Sequence, residues 1–183
     1  MYRLSTRTVA TLSLALVLAS HNSFSSNSCT PEEIGLTAES SNAEMLFYTG
    51  TCHYRNEDFI AAGENWKKLI SLNSVDESLE ELKVTAHNNL GYLMFFGLGF
   101  KMDKEQAIEH WVYALSKGNE ESEFHLCHAR ADSRQPTYDH LKAIVHCESA
   151  KLIYGRKPNP DESEQQVLSV IDEYLDLLAQ QIP

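Results

Sequence analysis

From about residue 40 onward the apolar positions fall three and four apart, the spacing that lays a single apolar stripe along an α-helix. Val167, Leu168, Ile171, Tyr174, Leu175 and Leu178 show it most plainly, with Asp and Glu crowding the start and the opposite face. Breakers cut the chain into pieces of helix length: Pro31 and Gly35, Asn56, Asn73-Ser74, Gly97-Leu98-Gly99, Gly118-Asn119, Gln135-Pro136 and Pro158-Asn159-Pro160. The pattern predicts helices near 40–54, 57–72, 76–97, 103–117, 120–131, 137–154 and 161–180. No strong run of alternating β-branched residues competes with them, so the expected fold class is all-α.

Part of the chain repeats itself. Moving 36 residues on from Ala86, Leu90 and Gly91 reaches Ser122, Leu126 and Cys127, which keeps the small and leucine positions. Ala107, His110 and Ala114 map onto Ala143, His146 and Ala150 at the same offset. Small residues let two antiparallel helices approach closely, and large ones fill the seam between neighbouring pairs. A repeat of this length therefore reads as stacked helix pairs.

The stretch from Ala86 to Ser122 resembles a Sel-one-like repeat, the longer-looped relative of the tetratricopeptide repeat. Ala86, Leu90, Gly91, Gly97, Gly99, Asp103, Ala107, Ala114 and Gly118 fall at that family's spacing, with Met94 in place of Tyr and His110-Trp111 in place of Trp-Tyr. The two glycines supply a positive-φ turn and Asp103 is placed to cap the second helix. The preceding stretch resembles an ordinary tetratricopeptide unit through Gly50, Tyr54, Asp58-Phe59, Ala62, Trp66, Leu69 and Leu72-Asn73. Residues 122–154 look like a degenerate third unit. They keep Leu126, Asp139, Ala143 and Ala150 but carry Ser133 and Gln135 where the turn glycines would be.

The resemblance covers about residues 45–155 and implies a short, right-handed α-solenoid with a concave face. Three helix pairs and a C-terminal capping helix would fill residues 41–183, and residues 20–40 match no recognised pattern. Proteins with such repeats mostly act as adaptors, and exported bacterial members sit in cell-envelope assemblies; this is an argument from fold alone.

The first nineteen residues read differently. Arg3 and Arg7 precede an uncharged apolar run, Val9 to Ala19, which ends in small residues and is followed by a Ser/Asn stretch. That is the layout of a secretory signal peptide, with cleavage expected near Ala19 and Ser25 as the alternative. The run is too short to span a membrane. Cys29, Cys52, Cys127 and Cys147 all follow it, and an even cysteine count after a signal peptide reads as two disulfides. Four cysteines allow three pairings. Cys127 with Cys147 is expected because they lie on the two helices of one antiparallel pair, and Cys29 with Cys52 because it pins the N-terminal segment to the first repeat helix. The expected location is periplasmic or secreted.

The formal charge of −11 argues against nucleic acid and anionic lipid as partners, since both need basic surface. Asp76, Glu77, Glu80 and Glu81 sit at a helix start, where they complement the helix dipole. His125, Cys127, His128, His146 and Cys147 could converge on a metal, yet no His-Glu-x-x-His or Cys-x-x-Cys is present and no metal site or cofactor is expected. No Gly-x-Ser-x-Gly or phosphate-cradling glycine loop supports catalysis. By carry-over of first-helix positions, a partner-binding groove would be lined by Tyr54, Asn88, Tyr92, Phe95, Phe124 and His128. The expected function is protein–protein interaction with another envelope protein or peptide. The alternative is an envelope-associated enzyme or glycan-binding protein acting on peptidoglycan or polysaccharide.

Overall fold

The computed structural model describes residues 29–30, 33–37, 39–73 and 77–181. The expected signal peptide and its cleavage site lie outside the described residues, as does Asp76. Seven helices make up the described chain: α1 (Asn42–Arg55), α2 (Phe59–Ile70), α3 (Glu77–Phe96), α4 (Lys104–Ser116), α5 (Glu121–Ala131), α6 (His140–Gly155) and α7 (Glu162–Ala179). No strand occurs among the described residues. No described helix is long and apolar enough to cross a membrane.

One capping chemistry starts most of these helices. The side chains of Ser41, Asp58, Asp103, Asp139 and Asp161 each accept a hydrogen bond from the backbone N–H three residues on. This satisfies one of the donors that a helix start leaves free. Glu44 and Glu164 reach back to complete capping boxes on α1 and α7.

The same backbone bond closes each of the three hairpins. Asp58 N–H donates to the His53 carbonyl at 2.9 Å, Asp103 to Met94 at 3.0 Å and Asp139 to Arg130 at 3.1 Å. The second hairpin turns through Gly97 and Gly99 at φ of +69° and +70°, as expected of the glycine pair. The third, without glycines, has no positive-φ residue and uses side chains instead. There Thr137 Oγ1 donates to the Ala129 carbonyl at 2.7 Å, Arg130 donates to the Thr137 carbonyl at 3.3 Å, and Asp132 holds Arg134.

Within hairpins, indoles lie on glycines. A Cβ on Gly50 would stand 2.7 Å from Trp66 Nε1, and one on Gly91 would stand 2.6 Å from Trp111 Nε1. Each indole N–H donates to a carbonyl on the facing helix, Trp66 to Phe47 at 3.2 Å and Trp111 to Asn88 at 3.1 Å. The donor is thereby satisfied while the ring stays in the core. In the third hairpin the corresponding contact is the Cys127–Cys147 disulfide, with the Cα atoms 4.7 Å apart. The second disulfide joins Cys29 to Cys52, so the expected partners are the ones joined.

The core divides into three clusters, each built from one hairpin and the first helix of whatever follows. Trp66, Leu69, Leu90 and Leu93 belong to the first, between α1, α2 and α3. Phe95, Trp111 and Leu126 belong to the second, between α3, α4 and α5. Cys127, Cys147, Ile171 and Leu178 belong to the third, between α5, α6 and α7. Helix α7 thus fills the place a fourth hairpin's first helix would take. Contacts run from α1 to α3, α3 to α5 and α5 to α7, whereas α2, α4 and α6 do not pack on one another. The odd-numbered helices form an inner layer and the even-numbered ones splay outward, a helical-solenoid arrangement with its hollow on the inner side.

Candidate functional site

The hollow is an open groove of about 890 Å³. Its floor comes from α1, α3 and α5, and its far wall from the end of α6 and the first half of α7. Tyr54, Asn88, Tyr92, Phe124 and His128, five of the six residues expected to bind a partner, line it. The tyrosines are half-buried, with Tyr54 and Tyr92 ring centres 6.3 Å apart, and the phenols remain neutral hydrogen-bonding groups. Burial above all, then the neighbouring Tyr92 and the charge of Glu121, pushes the Tyr54 phenol up to about 12.

Phe95 does not line the groove, and Asn88 lines it from a buried position. Phe95 is 4% exposed and packs edge-on to Phe96 and beside Trp111, so it belongs to the core. Asn88 is 2% exposed, and both polar atoms of its amide are hydrogen-bonded. Its Nδ2 donates to Glu121 Oε2 at 3.1 Å, and its Oδ1 accepts from Ser122 Oγ at 2.8 Å. A buried amide needs such partners, and here they tie α3 to the start of α5. Asn88 touches the groove as the support of Glu121 rather than as a contact of its own.

His128 is half-buried, with Nδ1 bonded to the Tyr174 hydroxyl across to α7. Burial holds it down to about 4, with the nearby Lys104 acting in the same direction. His125 stacks on Trp111 at 4.9 Å and 14°, and burial lowers it to about 3. His146 instead donates through Nδ1 to Glu123 Oε2 at 2.6 Å. The histidines considered as a metal cluster therefore point to three separate places. Among the described residues no group of three His, Cys, Asp or Glu side chains is arranged to hold a metal ion.

Several groove residues carry no local signal in the sequence. Glu121 is the most telling. Its Oε2 is held by Asn88, while Oε1 faces His125 Nε2 at 3.9 Å, beyond hydrogen-bond distance. Some 58% of its side chain stays accessible from the groove, yet the walls withdraw enough water from the carboxyl to raise its pKa. On the far wall stand Tyr154, Lys157 and Val167. Tyr154 lies 6.2 Å from Phe124 and is pushed up to about 12 by burial and then by Glu121. Lys157 pairs with Glu164, and Asp161 and Glu164 together form the capping box of α7. The arrangement offers neutral phenols, aromatic faces and, in Glu121, a positioned carboxylate with an open oxygen. No family model matches the chain, and no curated protein or solved structure matches it.

Proposed function

We propose that this chain is an exported adaptor built of tetratricopeptide/Sel-one-like hairpins, whose inner groove takes an extended segment of another protein. The observation that carries the reading is the groove itself, about 890 Å³, open along one side and lined by Tyr54, Tyr92 and Phe124 from three successive inner helices. Rigid aromatic side chains with a polar tip give much contact area for little lost conformational freedom, and they dominate peptide-binding surfaces. The repeat type is supported by the glycine–indole contact recurring at Gly50–Trp66 and Gly91–Trp111. Export, to the periplasm or beyond, is supported by the Arg3/Arg7 and Val9–Ala19 pattern together with the two disulfides.

The competing reading, an envelope enzyme or glycan binder, has less support. Hydrolysis of a glycosidic bond requires two carboxyl groups facing each other with distinct roles. Here Glu121 is open, but Asp161 and Glu164 opposite are engaged in the α7 cap and with Lys157.

Selection of phage-displayed random peptides, about a dozen residues long, on the full disulfide-bonded chain tests the adaptor reading. Peptides should be enriched, and a folded Tyr92→Ala, Phe124→Ala variant should lose them. Failure to enrich any peptide, or undiminished retrieval by that variant, would overturn it.

A further inference from the structure

Resting on that peptide-groove reading, we propose that the partner segment places a lysine or arginine side chain against Glu121, between the tyrosine rings of the groove. Three observations on the described residues converge on this chemistry.

The first is a fixed carboxylate. Asn88 is buried, Ser122 orients its amide, and that amide in turn holds Glu121 Oε2. Among the described residues Oε1 has no donor at hydrogen-bond distance, His125 Nε2 standing 3.9 Å away, and 58% of the side chain is exposed. A carboxylate positioned before the ligand arrives loses little freedom on binding, and charge-assisted hydrogen bonds from ammonium or guanidinium are the strong ones.

The second is the missing counter-ion. Lys157, the cation nearest in effect, already pairs with Glu164 on the far wall. Glu120, Glu121, Asp161 and Glu164 line the groove against Arg55 and Lys157, so its balance is negative. An incoming cation would restore Glu121 to a paired state, and the negative field would draw it in.

The third is the aromatic surround. Glu121 shares the groove with Tyr54 of α1 and Tyr154 of α6. Tyr92 stands beside Tyr54, and Phe124 beside Tyr154. Ring faces attract an ammonium or guanidinium, more so where water is partly excluded. The aliphatic stem of either residue suits the same rings. Neither an acidic peptide nor a phosphate group gains anything from this combination.

The same phage selection tests it. Enriched peptides should share a lysine or arginine at one position. In fluorescence anisotropy with the strongest peptide, replacing that residue by glutamine should weaken binding about tenfold or more. Glu121→Gln, which keeps an oxygen for Asn88 Nδ2, should give a similar loss with an unchanged melting curve. Combining the two changes should add little beyond either alone. Peptides that depend on Tyr92 and Phe124 but share no basic residue would overturn this inference while leaving the adaptor reading standing. No enriched peptide at all would remove both. If Glu121→Gln unfolds the chain, the peptide-side substitution still decides, because undiminished binding of the glutamine peptide overturns the proposal.

Discussion

Cys127 and Cys147 stand where Gly91 and Trp111 stand one hairpin earlier, each 36 residues further along the chain. The same offset carries His87 and His110, whose Nδ1 atoms are 2.7 Å apart, onto Glu123 and His146, which meet at 2.6 Å. Two different chemistries thus hold equivalent helix pairs at the same register: an indole seated on a glycine, and a covalent bridge. Each removes the need for a bulky side chain on the facing helix.

The glycine–indole contact makes a sharp prediction. Gly91→Leu should destabilise the chain by about 1–3 kcal/mol or more, because even the first added carbon would lie 2.6 Å from the Trp111 ring. Trp111 is fully buried and cannot swing aside without opening the second core cluster. A chemical denaturation curve with an unchanged midpoint would refute this packing. Gly155, with nothing near its Cβ position, is the control for adding a side chain.

The third hairpin should depend on its bridge. Replacing Cys127 and Cys147 by alanine opens a loop spanning 20 positions, and the chain-entropy argument puts the cost at about 3 kcal/mol. The loss should appear as a lowered denaturation midpoint, and reducing agent should lower the parent midpoint but leave the alanine variant sensitive only through Cys29–Cys52. A double-alanine variant as stable as the parent would mean that the remaining α5–α6 packing suffices.

Asn88→Ala should cost about 1–3 kcal/mol although it removes few atoms, since it leaves the Ser122 hydroxyl with one fewer partner and frees Glu121. A double-mutant cycle with Ser122→Ala should show positive coupling between the two sites. Simple additivity in urea melts would contradict the buried clasp.

Acid should weaken the fold through its inward-facing histidines. His125 is held at about 3 and His128 at about 4, both below the unfolded value near 6.5. Below that value the unfolded chain binds protons that the folded chain refuses, so stability falls as pH drops from about 6.5 and levels off near the folded values. Each histidine fully engaged contributes a slope of about 1.4 kcal/mol per pH unit. Glu121, whose carboxyl is raised, titrates with the opposite sign and offsets part of this loss. Melts between pH 7 and 4 should show a shallower decline for His125→Gln than for the parent. Parallel declines would exclude His125 as a contributor.

Much of the helix order was legible in the sequence because period, breakers and Asp caps agree locally. Each observed helix start and end falls within three residues of the expected one. The groove was legible only in part. Tyr54, Tyr92, Phe124 and His128 could be placed on first helices by carry-over from the repeat resemblance, but such carry-over does not reveal depth. Phe95 goes inward because the end of α3 leans onto Trp111, and Asn88 goes inward because its partners, Glu121 and Ser122, lie on the next hairpin. Tyr154 and Val167 were missed for a related reason. They face the inner helices only because the stack curves far enough to bring the α6 end and α7 across, and that curvature is a sum over all the hairpins.

A row of hairpins is open at both ends, and each end is a surface onto which another copy could add. At one end of this row Ile171 and Leu178 of α7 turn inward, while Asp172, Glu173 and Asp176 stay exposed. Two such ends brought together would set like charges against each other. At the other end the Cys29–Cys52 bridge straps the preceding segment across α1, with Leu36 buried at 7% exposure. The features that complete the core at the two ends of the row therefore also finish its surface, with a charged face on α7 at one end and a disulfide-strapped segment at the other.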